Sequence, residues 1–569
     1  MLHRLTRFRT LEEHAQEAAA SGWGGGDLAL ARDALRELVS IGLLVPHTEI
    51  VRRITRFGQT TEKPAPISAI CWPTKDRPAL LLRGMKSFIA NAHVHGRAPG
   101  YIALNDSTDV SAEIHMVVAL SKLSLEEGIA IRYAGQVEKK VFAEEIARRL
   151  EPLGLPPELI RFALFDTLNC GLTYGANRNA SLLATTGCMA LSTDDDIVCA
   201  PAPSPELEGG LELAEIPGPG GLHFYSSREE LLHEVKTRDT DILAVHEVLL
   251  GRKVSGIARE YADANALKLD MGAGQFLDTL MTFGAQVLAT AGGSYGDSGM
   301  GTPRSFLMLE MSNRERLVST EKAYREAFYS RELLQVFTRT TITPGPYFPG
   351  MNVGLDNRDL LPPFIPVLRG EDFIFAYALK ACFKDCAIGY PPWALAHFPS
   401  GARNFTQDSA VKALLYFSEI VFIALHSFGP SPGMDSPRDR MGALGTHLQS
   451  IASMDNADYE SFMKSRWIAQ ASYRIGLMEN SLMEYNHQPS FWARDLERAI
   501  KSMEEFALKG EASVPSDLLQ GRTPVEARDL GKKILGMYGE LLYWWPSIVD
   551  AARALKEDEI ELTREIPVS

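Results

Sequence analysis

The stretch that decides the fold is ISAICWPTKDRP at residues 67–78, together with YIALNDSTD at residues 101–109. Each begins as a short apolar run, which is typical of a buried strand, and each ends in polar residues. An amphipathic helix is predicted between them, over residues 79–92. A further strand at 128–133 and a helix at 140–151 follow. This alternation of strands and helices predicts an α/β fold with a parallel sheet covered by helices.

Another buried strand is predicted at residues 188–193 (CMALST), and Asp194, Asp195 and Asp196 follow it directly. In an open parallel sheet, ligands bind beyond the carboxyl ends of the strands. Three adjacent carboxylates repel one another there, and a hard divalent cation would neutralise them. Since side chains alternate along an extended chain, Asp194 and Asp196 are the candidate metal ligands, and Asp195 faces away. A solvated acidic turn is the alternative interpretation.

The rest of the chain is expected to form three parts. Residues 1–63 predict a small N-terminal helical unit, similar to a winged helix, and residues 64–404 predict the catalytic domain. Within that domain, a region at about 221–345 is inserted on the acceptor side, and its residues 227–290 are predicted to be mostly helical. Its Gly-rich stretch 291–303 predicts a flexible lid, with a phosphate-binding loop as the alternative. Residues 405–569 predict a helical C-terminal domain, whose apolar faces also offer a surface for homo-oligomers.

The composition argues against several classes of protein. The chain has 569 residues and a net charge of −14, with no basic stripe of the kind that duplex nucleic-acid binders carry, so no nucleic-acid partner is expected. Its six cysteines contain no C-x-x-C pair, which favours reduced thiols and a cytoplasmic location. The most apolar stretch, residues 413–428, is short for a bilayer span and contains Glu419 and His426. It therefore predicts a buried helix, and no transmembrane segment is expected.

Four segments, taken in order, resemble the family-2-type glycosyltransferases, which bind nucleotide sugars on a GT-A fold. These segments are residues 67–78, 101–109, 175–197 (with Arg178-Asn179 ahead of Asp194-x-Asp196) and 369–397 (beginning Arg-Gly-Glu-Asp-Phe and ending at His397). The resemblance covers roughly residues 64–200 and 350–400. It implies a GT-A-like, Rossmann-like sheet, mostly parallel, with helices on both faces.

The same resemblance implies a role for particular residues. The nucleotide sugar would be contacted by Pro73, Thr74, Asn105, Asp106, Arg178, Asp194 and Asp195. A manganese or magnesium ion would be held, with the diphosphate of the donor, by Asp194, Asp196 and His397. Asp372 would be the general base that deprotonates the acceptor hydroxyl, with Glu371 beside it. Negative charge is favourable at this position because a helix is predicted to begin there.

The expected function is the metal-dependent transfer of a sugar from a nucleotide-diphosphate donor to an acceptor hydroxyl, with inversion at the anomeric carbon. The acceptor is open among a sugar, a small molecule and a peptide. One alternative is a sugar nucleotidyltransferase, which would carry a Gly-rich basic loop where this chain has Pro73-Thr74-Lys75-Asp76. Another is a non-catalytic scaffold with a GT-A-like domain, which loss of the key carboxylates would favour, and the chain retains them.

Overall fold

The computed structural model describes residues 9–56, 64–215, 220–263, 266–270, 274–282, 284–431, 433–509 and 513–566. The parts of the expected N-terminal unit at residues 1–8 and 57–63 lie outside these ranges. The architecture is mixed α/β, with two sheets surrounded by helices. Within the described ranges, no helix is both long enough and apolar enough to cross a bilayer.

The strands belong to two sheets. In chain order they are β1 (Ala69–Thr74), β2 (Gly100–Asn105), β3 (Ile131–Ala134), β4 (Cys188–Thr193), β5 (Ile197–Pro203), β6 (Leu211–Ala214), β7 (Gly221–Phe224), β8 (Leu267–Asp270), β9 (Gln286–Ala291), β10 (Gly293–Asp297), β11 (Glu332–Val336), β12 (Thr340–Thr343), β13 (Asn352–Asn357), β14 (Cys386–Tyr390), β15 (Trp393–His397) and β16 (Arg564–Glu565). The large, mostly parallel sheet has the order β16-β3-β2-β1-β4-β13-β9-β14-β12-β6-β8, and the small sheet has the order β5-β15-β10-β11-β7.

The helices cover both faces of the large sheet and make up most of the C-terminal third. In chain order they are α1 (Leu11–Ala20), α2 (Leu28–Ser40), α3 (His47–Thr55), α4 (Pro78–Val94), α5 (Val110–Glu127), α6 (Gln136–Leu150), α7 (Pro157–Leu164), α8 (Tyr174–Ala184), α9 (Arg228–Glu234), α10 (Ile242–Glu247), α11 (Val254–Asp263), α12 (Gln275–Thr282), α13 (Met311–Leu317), α14 (Glu321–Ala327), α15 (Glu371–Cys382), α16 (Phe417–His426), α17 (Pro437–Ala452), α18 (Asn456–Glu484), α19 (Ser490–Lys509) and α20 (Pro524–Glu557). Short 3₁₀ helices lie at Trp23–Gly26, Glu151–Leu153, Arg304–Met308 and Ser516–Leu518.

Strands β3, β2, β1 and β4 run parallel to one another and position the candidate site. Apolar side chains of β1 enter a core on each face, with Ile70 and Trp72 on one side and Ala69 and Cys71 on the other. Burial on both faces explains why these strands read as continuous apolar runs. Their carboxyl ends all lie at one edge of the sheet, where the polar residues that follow them meet.

The predictions for this half of the chain are largely confirmed. The helix expected at 79–92 is α4, and the strand expected at 188–193 coincides with β4. The apolar stretch at roughly residues 157–170 predicts one long helix, and this prediction is too long, because α7 ends at Leu164. The carboxylate of Asp166 accepts backbone N–H groups of Leu168, Cys170 and Gly171, and these bonds form a turn that competes with the helix.

The prediction of a flexible Gly-rich lid at residues 291–303 is wrong for its central part. Residues 293–297 form β10, which lies between β15 and β11 inside the small sheet. Its glycines allow close backbone approach, since a Cβ on Gly293 would come within 2.5 Å of the Gln335 carbonyl oxygen. The mostly helical prediction for the surrounding region also missed strands β8 and β9.

The C-terminal helices pack directly on the sheet domain. Helix α20 contacts α17, α6 and α7. The Trp545 indole N–H donates to the Leu361 carbonyl at 2.8 Å, and the Tyr538 hydroxyl donates to the Pro363 carbonyl at 3.1 Å. Beyond α20, β16 pairs with β3 at the edge of the large sheet. One hydrophobic core therefore continues across the boundary expected at residues 404 and 405.

Candidate functional site

The three aspartates after β4 form a turn rather than an extended segment. The Asp194 N–H donates to the Met351 carbonyl at 3.1 Å, and the Ile197 N–H donates back to the Asp194 carbonyl at 3.1 Å. Because the backbone turns here, the side chains no longer alternate between two sides. The expectation that Asp194 and Asp196 share one side is corrected accordingly: each of the three carboxylates has a different set of partners.

Asp194 and the carboxylates of α15 meet on one buried arginine. Nη2 of Arg178, from α8, lies 2.8 Å from the Asp194 Oδ1, and its Nε lies 3.3 Å from the Glu371 Oε1. Asp372 adds a third negative charge that acts on Arg178. Residues almost 200 positions apart in the sequence thus converge at the carboxyl ends of β1 and β4. The sequence analysis assigned all four of these residues to the site, and the structure brings them together.

Asp372 is held by backbone groups. Its Oδ2 accepts the Gly350 N–H at 3.0 Å and its Oδ1 accepts the Phe373 N–H at 2.8 Å. The N-cap of α15 is Gly370, so Asp372 is not the capping residue. Gly350 permits this arrangement, since a Cβ there would lie 3.0 Å from both the Asp372 Cβ and the Arg178 Nη2.

The carboxylates on α15 have perturbed proton affinities. Burial, followed by the charge of Asp372, raises the pKa of Glu371 to about 7, although Arg178 opposes the shift. Burial also raises the pKa of Asp372, against the opposing effects of Arg178 and of the two backbone N–H groups. One arginine cannot fully balance three neighbouring carboxylates. A carboxylate whose pKa lies closer to neutrality is a better proton acceptor for a hydroxyl than an ordinary one.

Asp195 is completely buried and contacts the end of β1. Its Oδ2 accepts the Thr74 hydroxyl at 2.6 Å, and its Oδ1 lies 2.9 Å from Nη2 of Arg77. Burial raises the pKa of Asp195 to about 7, although Arg77 and Thr74 oppose the shift. Thr74 is itself only 3% exposed. Both side chains are therefore engaged with each other, and their predicted contacts with a donor stay predictions.

Asp196 lies between an arginine and a histidine. Its Oδ2 is 3.3 Å from Nη1 of Arg77, and its Oδ1 is 3.3 Å from Nε2 of His397. The other ring nitrogen of His397 is 2.5 Å from the backbone oxygen of Asp297, in β10. Burial alone would lower the pKa of His397, but the hydrogen bond to Asp196 and its charge outweigh burial, so the pKa is raised. The segment that was expected to be a lid instead orients this histidine.

The predicted metal centre of Asp194, Asp196 and His397 stays a prediction. In the part of the chain that the structure describes, no three His, Cys, Asp or Glu side chains converge in an arrangement that could hold a metal ion. Asp194 is engaged by Arg178, whereas Asp196 and His397 are adjacent. Nε2 of His397 faces the Asp196 carboxylate, and Asp196 supplies the type of ligand that Mg²⁺ and Mn²⁺ prefer alongside waters and substrate phosphates.

The predicted nucleotide contacts at the end of β2 are buried. Asn105 is 1% exposed, and its amide donates to the Tyr133 hydroxyl at 3.2 Å. Asp106 is 5% exposed and pairs at 3.0 Å with the ammonium group of Lys139, a completely buried lysine. Direct donor contact by Asn105 and Asp106 stays a prediction. Of the candidate residues on β1, Pro73 is the one that is partly exposed.

Sequence reasoning missed three residues of this arrangement. Arg77 bridges Asp195 and Asp196, and its position in the basic loop after β1 was an available signal. Lys139 and Gly350 carried no such signal, since their roles depend on contacts with residues far away in the sequence. The chain matches no known protein-family model and no curated protein sequence. The function of this protein is therefore inferred from the geometry of the site.

Proposed function

We propose that this chain is a glycosyltransferase that moves a sugar from a nucleotide-diphosphate donor to an acceptor hydroxyl. The observation that carries the proposal is the convergence of Asp194, Glu371 and Asp372 on Arg178 at the carboxyl end of the parallel strands. Such an edge is where ligands bind in open α/β sheets. The four parallel strands and the acidic turn after β4 also support assignment to a GT-A-like, family-2-type fold.

In the proposed reaction, Asp372 is the general base. The acceptor hydroxyl passes its proton to the Asp372 carboxylate while its oxygen forms a bond to the anomeric carbon. The bond from that carbon to the diphosphate oxygen breaks on the opposite face, and the nucleoside diphosphate leaves with the electron pair. This in-line displacement inverts the anomeric configuration. The two backbone N–H groups on Asp372 fix the direction of its free lone pairs.

Arg178 and Glu371 support this base. The guanidinium holds Asp194 and Glu371 in place and keeps the paired carboxylates of α15 from repelling one another fully. Asp196 and His397 would hold Mn²⁺ or Mg²⁺ together with the donor. That ion would supply positive charge to the diphosphate leaving group. Arg77, whose side chain is 41% exposed, adds a positive charge beside the Asp196 carboxylate.

The test is donor binding. We expect one nucleotide-diphosphate sugar from a panel to raise the melting temperature in the presence of Mn²⁺, because a ligand that binds only the folded state stabilises it. Asp196→Asn should remove the Mn²⁺-dependent part of that shift. Asp359→Asn is the matched control, because its side chain is 93% exposed and should leave the shift unchanged. If no nucleotide sugar in the panel stabilises the protein, the proposal is wrong.

A further inference from the structure

Beside the proposed base lies a group of partly exposed aromatic rings. Phe373 follows Asp372 directly in α15, and its ring centroid lies 6.2 Å from that of Tyr347 at an interplanar angle of 71°. The Phe337 centroid lies 6.5 Å from that of Tyr347. All three rings are partly accessible to solvent, unlike the fully buried aromatic residues of the core. We call these three residues the aromatic wall.

The wall is anchored by buried residues beneath it. Tyr390, which is 0% exposed, stacks on Phe337 with centroids 4.5 Å apart, and its hydroxyl donates to the Tyr347 carbonyl. The neighbouring Phe348 points the other way, into the core, and packs on Phe375 at 5.5 Å. Tyr347 packs against the margin of that core while remaining partly exposed, and its hydroxyl accepts a hydrogen bond from the Gln335 side-chain amide. The rings are therefore held in place before any ligand arrives.

The position of the wall relative to the base is also fixed. Gly350 belongs to the same loop as Tyr347, and its N–H donates to the Asp372 carboxylate. The backbone at Gly350 is so close to Asp372 and Arg178 that a Cβ there would leave only 3.0 Å to each. Tyr347 lies three residues before Gly350 in this loop, and its ring packs edge-to-face against Phe373, the residue that follows Asp372.

The chemistry of this corner fits one class of acceptor. Aromatic faces pack well against flat, largely apolar surfaces, and a carboxylate beside them accepts a hydroxyl proton. A pyranose ring has a flat C–H face that can pack against aromatic rings, and it has hydroxyl groups that can pass a proton to the carboxylate. A phosphorylated or acidic acceptor would meet repulsion, since Asp194, Glu371 and Asp372 outnumber Arg178 here. We propose that the aromatic wall is an acceptor subsite that stacks on a sugar ring, so that the acceptor is an uncharged glycoside.

This inference rests on the proposed function, and one experiment separates the two. The probes are p-nitrophenyl glycosides of glucose, galactose and N-acetylglucosamine, and a neutral serine-containing peptide. Each is offered with the donor that stabilises the protein, and both transfer to the probe and hydrolysis of the donor by water are measured. The variants are Phe373→Leu and, separately, Tyr347→Leu, so that a folding defect in one does not decide the outcome.

We expect transfer to at least one glycoside, with the acceptor KM rising about tenfold in each leucine variant. The ratio of transfer to hydrolysis should fall by a similar factor, whereas a general loss of folding would lower both rates together. Tyr347→Phe keeps the ring and should restore the ratio. Tyr543→Leu, an aromatic residue on α20 that is 53% exposed, should change neither rate.

Three outcomes would overturn the proposal in different ways. Donor hydrolysis without transfer to any glycoside, or transfer to the peptide alone, contradicts the sugar acceptor but leaves the proposed function standing. Leucine variants that transfer to the glycoside with unchanged acceptor KM contradict the role of the wall. Neither hydrolysis nor transfer with any nucleotide sugar contradicts the glycosyltransferase itself, and the inference with it.

Discussion

Two ion clusters lie at the carboxyl ends of the parallel strands, and they differ in charge balance. In the first, Lys139 pairs with Asp106, and its ammonium group also donates to the Asn177 amide oxygen at 2.7 Å. In the second, Arg178 faces the three carboxylates of Asp194, Glu371 and Asp372. Both clusters join elements that are distant in the sequence.

The two clusters therefore suit different tasks. Burial lowers the pKa of Lys139, but Asp106 opposes the shift, and Asp106 also accepts hydrogen bonds from Gln136 and Thr173, which help to satisfy the buried pair. Around Arg178 the negative charges are in excess, and the pKa values of Glu371 and Asp372 are raised. A buried group with a perturbed pKa in a cleft is a candidate for chemistry, whereas a balanced pair is a candidate for stability.

The largest effect is expected at Asp372. Asp372→Asn should lower turnover by roughly 10²–10⁴-fold, because an amide cannot accept the hydroxyl proton. The melting temperature should fall only slightly, since the asparagine oxygen can still accept one of the two backbone N–H groups that Asp372 accepts. The measurements are turnover, donor affinity and melting temperature on the same preparation. Near-normal turnover would contradict a catalytic role for the cluster around Arg178 and would indicate that this cluster is structural, like the Lys139–Asp106 pair.

Lys139→Met tests whether the Lys139–Asp106 ion pair stabilises the fold. Removing the ammonium group that pairs with buried Asp106 should cost roughly 3–5 kcal/mol of unfolding free energy, because an uncompensated charge is left inside. The measurement is the midpoint of urea unfolding. Lys140→Met is the control, because Lys140 is exposed on the same helix and should shift the midpoint by little. Equal midpoints for the two variants would contradict a structural role for the Lys139 pair.

The pH dependence of stability should come from the unbalanced cluster. The pKa of Glu371 is about 7 in the folded state and 4.5 for the ordinary side chain. A raised acid pKa stabilises the fold when the group is neutral, and this stabilisation is lost as pH rises through about 7. Glu371→Gln stays neutral, so its stability relative to wild type should improve between pH 5 and pH 8, by about 1–3 kcal/mol. A constant difference across that range would contradict the charge imbalance.

An effect no larger than that at Glu371 is expected at Gly350, where the loop approaches two members of the unbalanced cluster, Arg178 and Asp372. Gly350→Ala places a Cβ 3.0 Å from Arg178 and Asp372, which should cost about 1–3 kcal/mol of stability and lower turnover. Gly401→Ala is the control, since a Cβ there meets no atom within 4 Å. Thermal unfolding of both variants checks this prediction. If the two alanine variants behave alike, the loop does not depend on close contact with the site.

Local patterns in the sequence were sufficient for the first four strands. Their apolar runs and polar ends depend on burial within a few residues, so β4 was predicted at the correct bounds and α4 within two residues. The same reasoning failed at residues 293–297, where a glycine-rich sequence is compatible with either a loop or a crowded strand. The strand forms because β11 and β15 pair with this segment, and both come from distant parts of the chain. Local reasoning also failed at α7, where one side chain, Asp166, ends the helix.

The candidate site divides in a similar way. Sequence alone marked Asp194 and Asp196 as candidate metal ligands, because adjacent acids after a buried strand repel one another, and the family resemblance implied Asp372 as a candidate base. The sequence could not say which cation faces which acid. An extended chain would have paired Asp194 with Asp196, and the turn separates them, giving Asp194 to Arg178 and Asp196 to Arg77 and His397.

What the sequence by itself determined is the α/β architecture and the identity of most groups at the edge of the sheet, since both follow from local periodicity and residue type. Only the tertiary structure decided the charge balance of the two clusters. Charge balance depends on which groups come within about 4 Å of one another, and the partners of Arg178 lie up to 193 positions away along the chain. Burial increases the energetic cost of any imbalance, because each excess or missing charge costs more free energy in a low dielectric than in water.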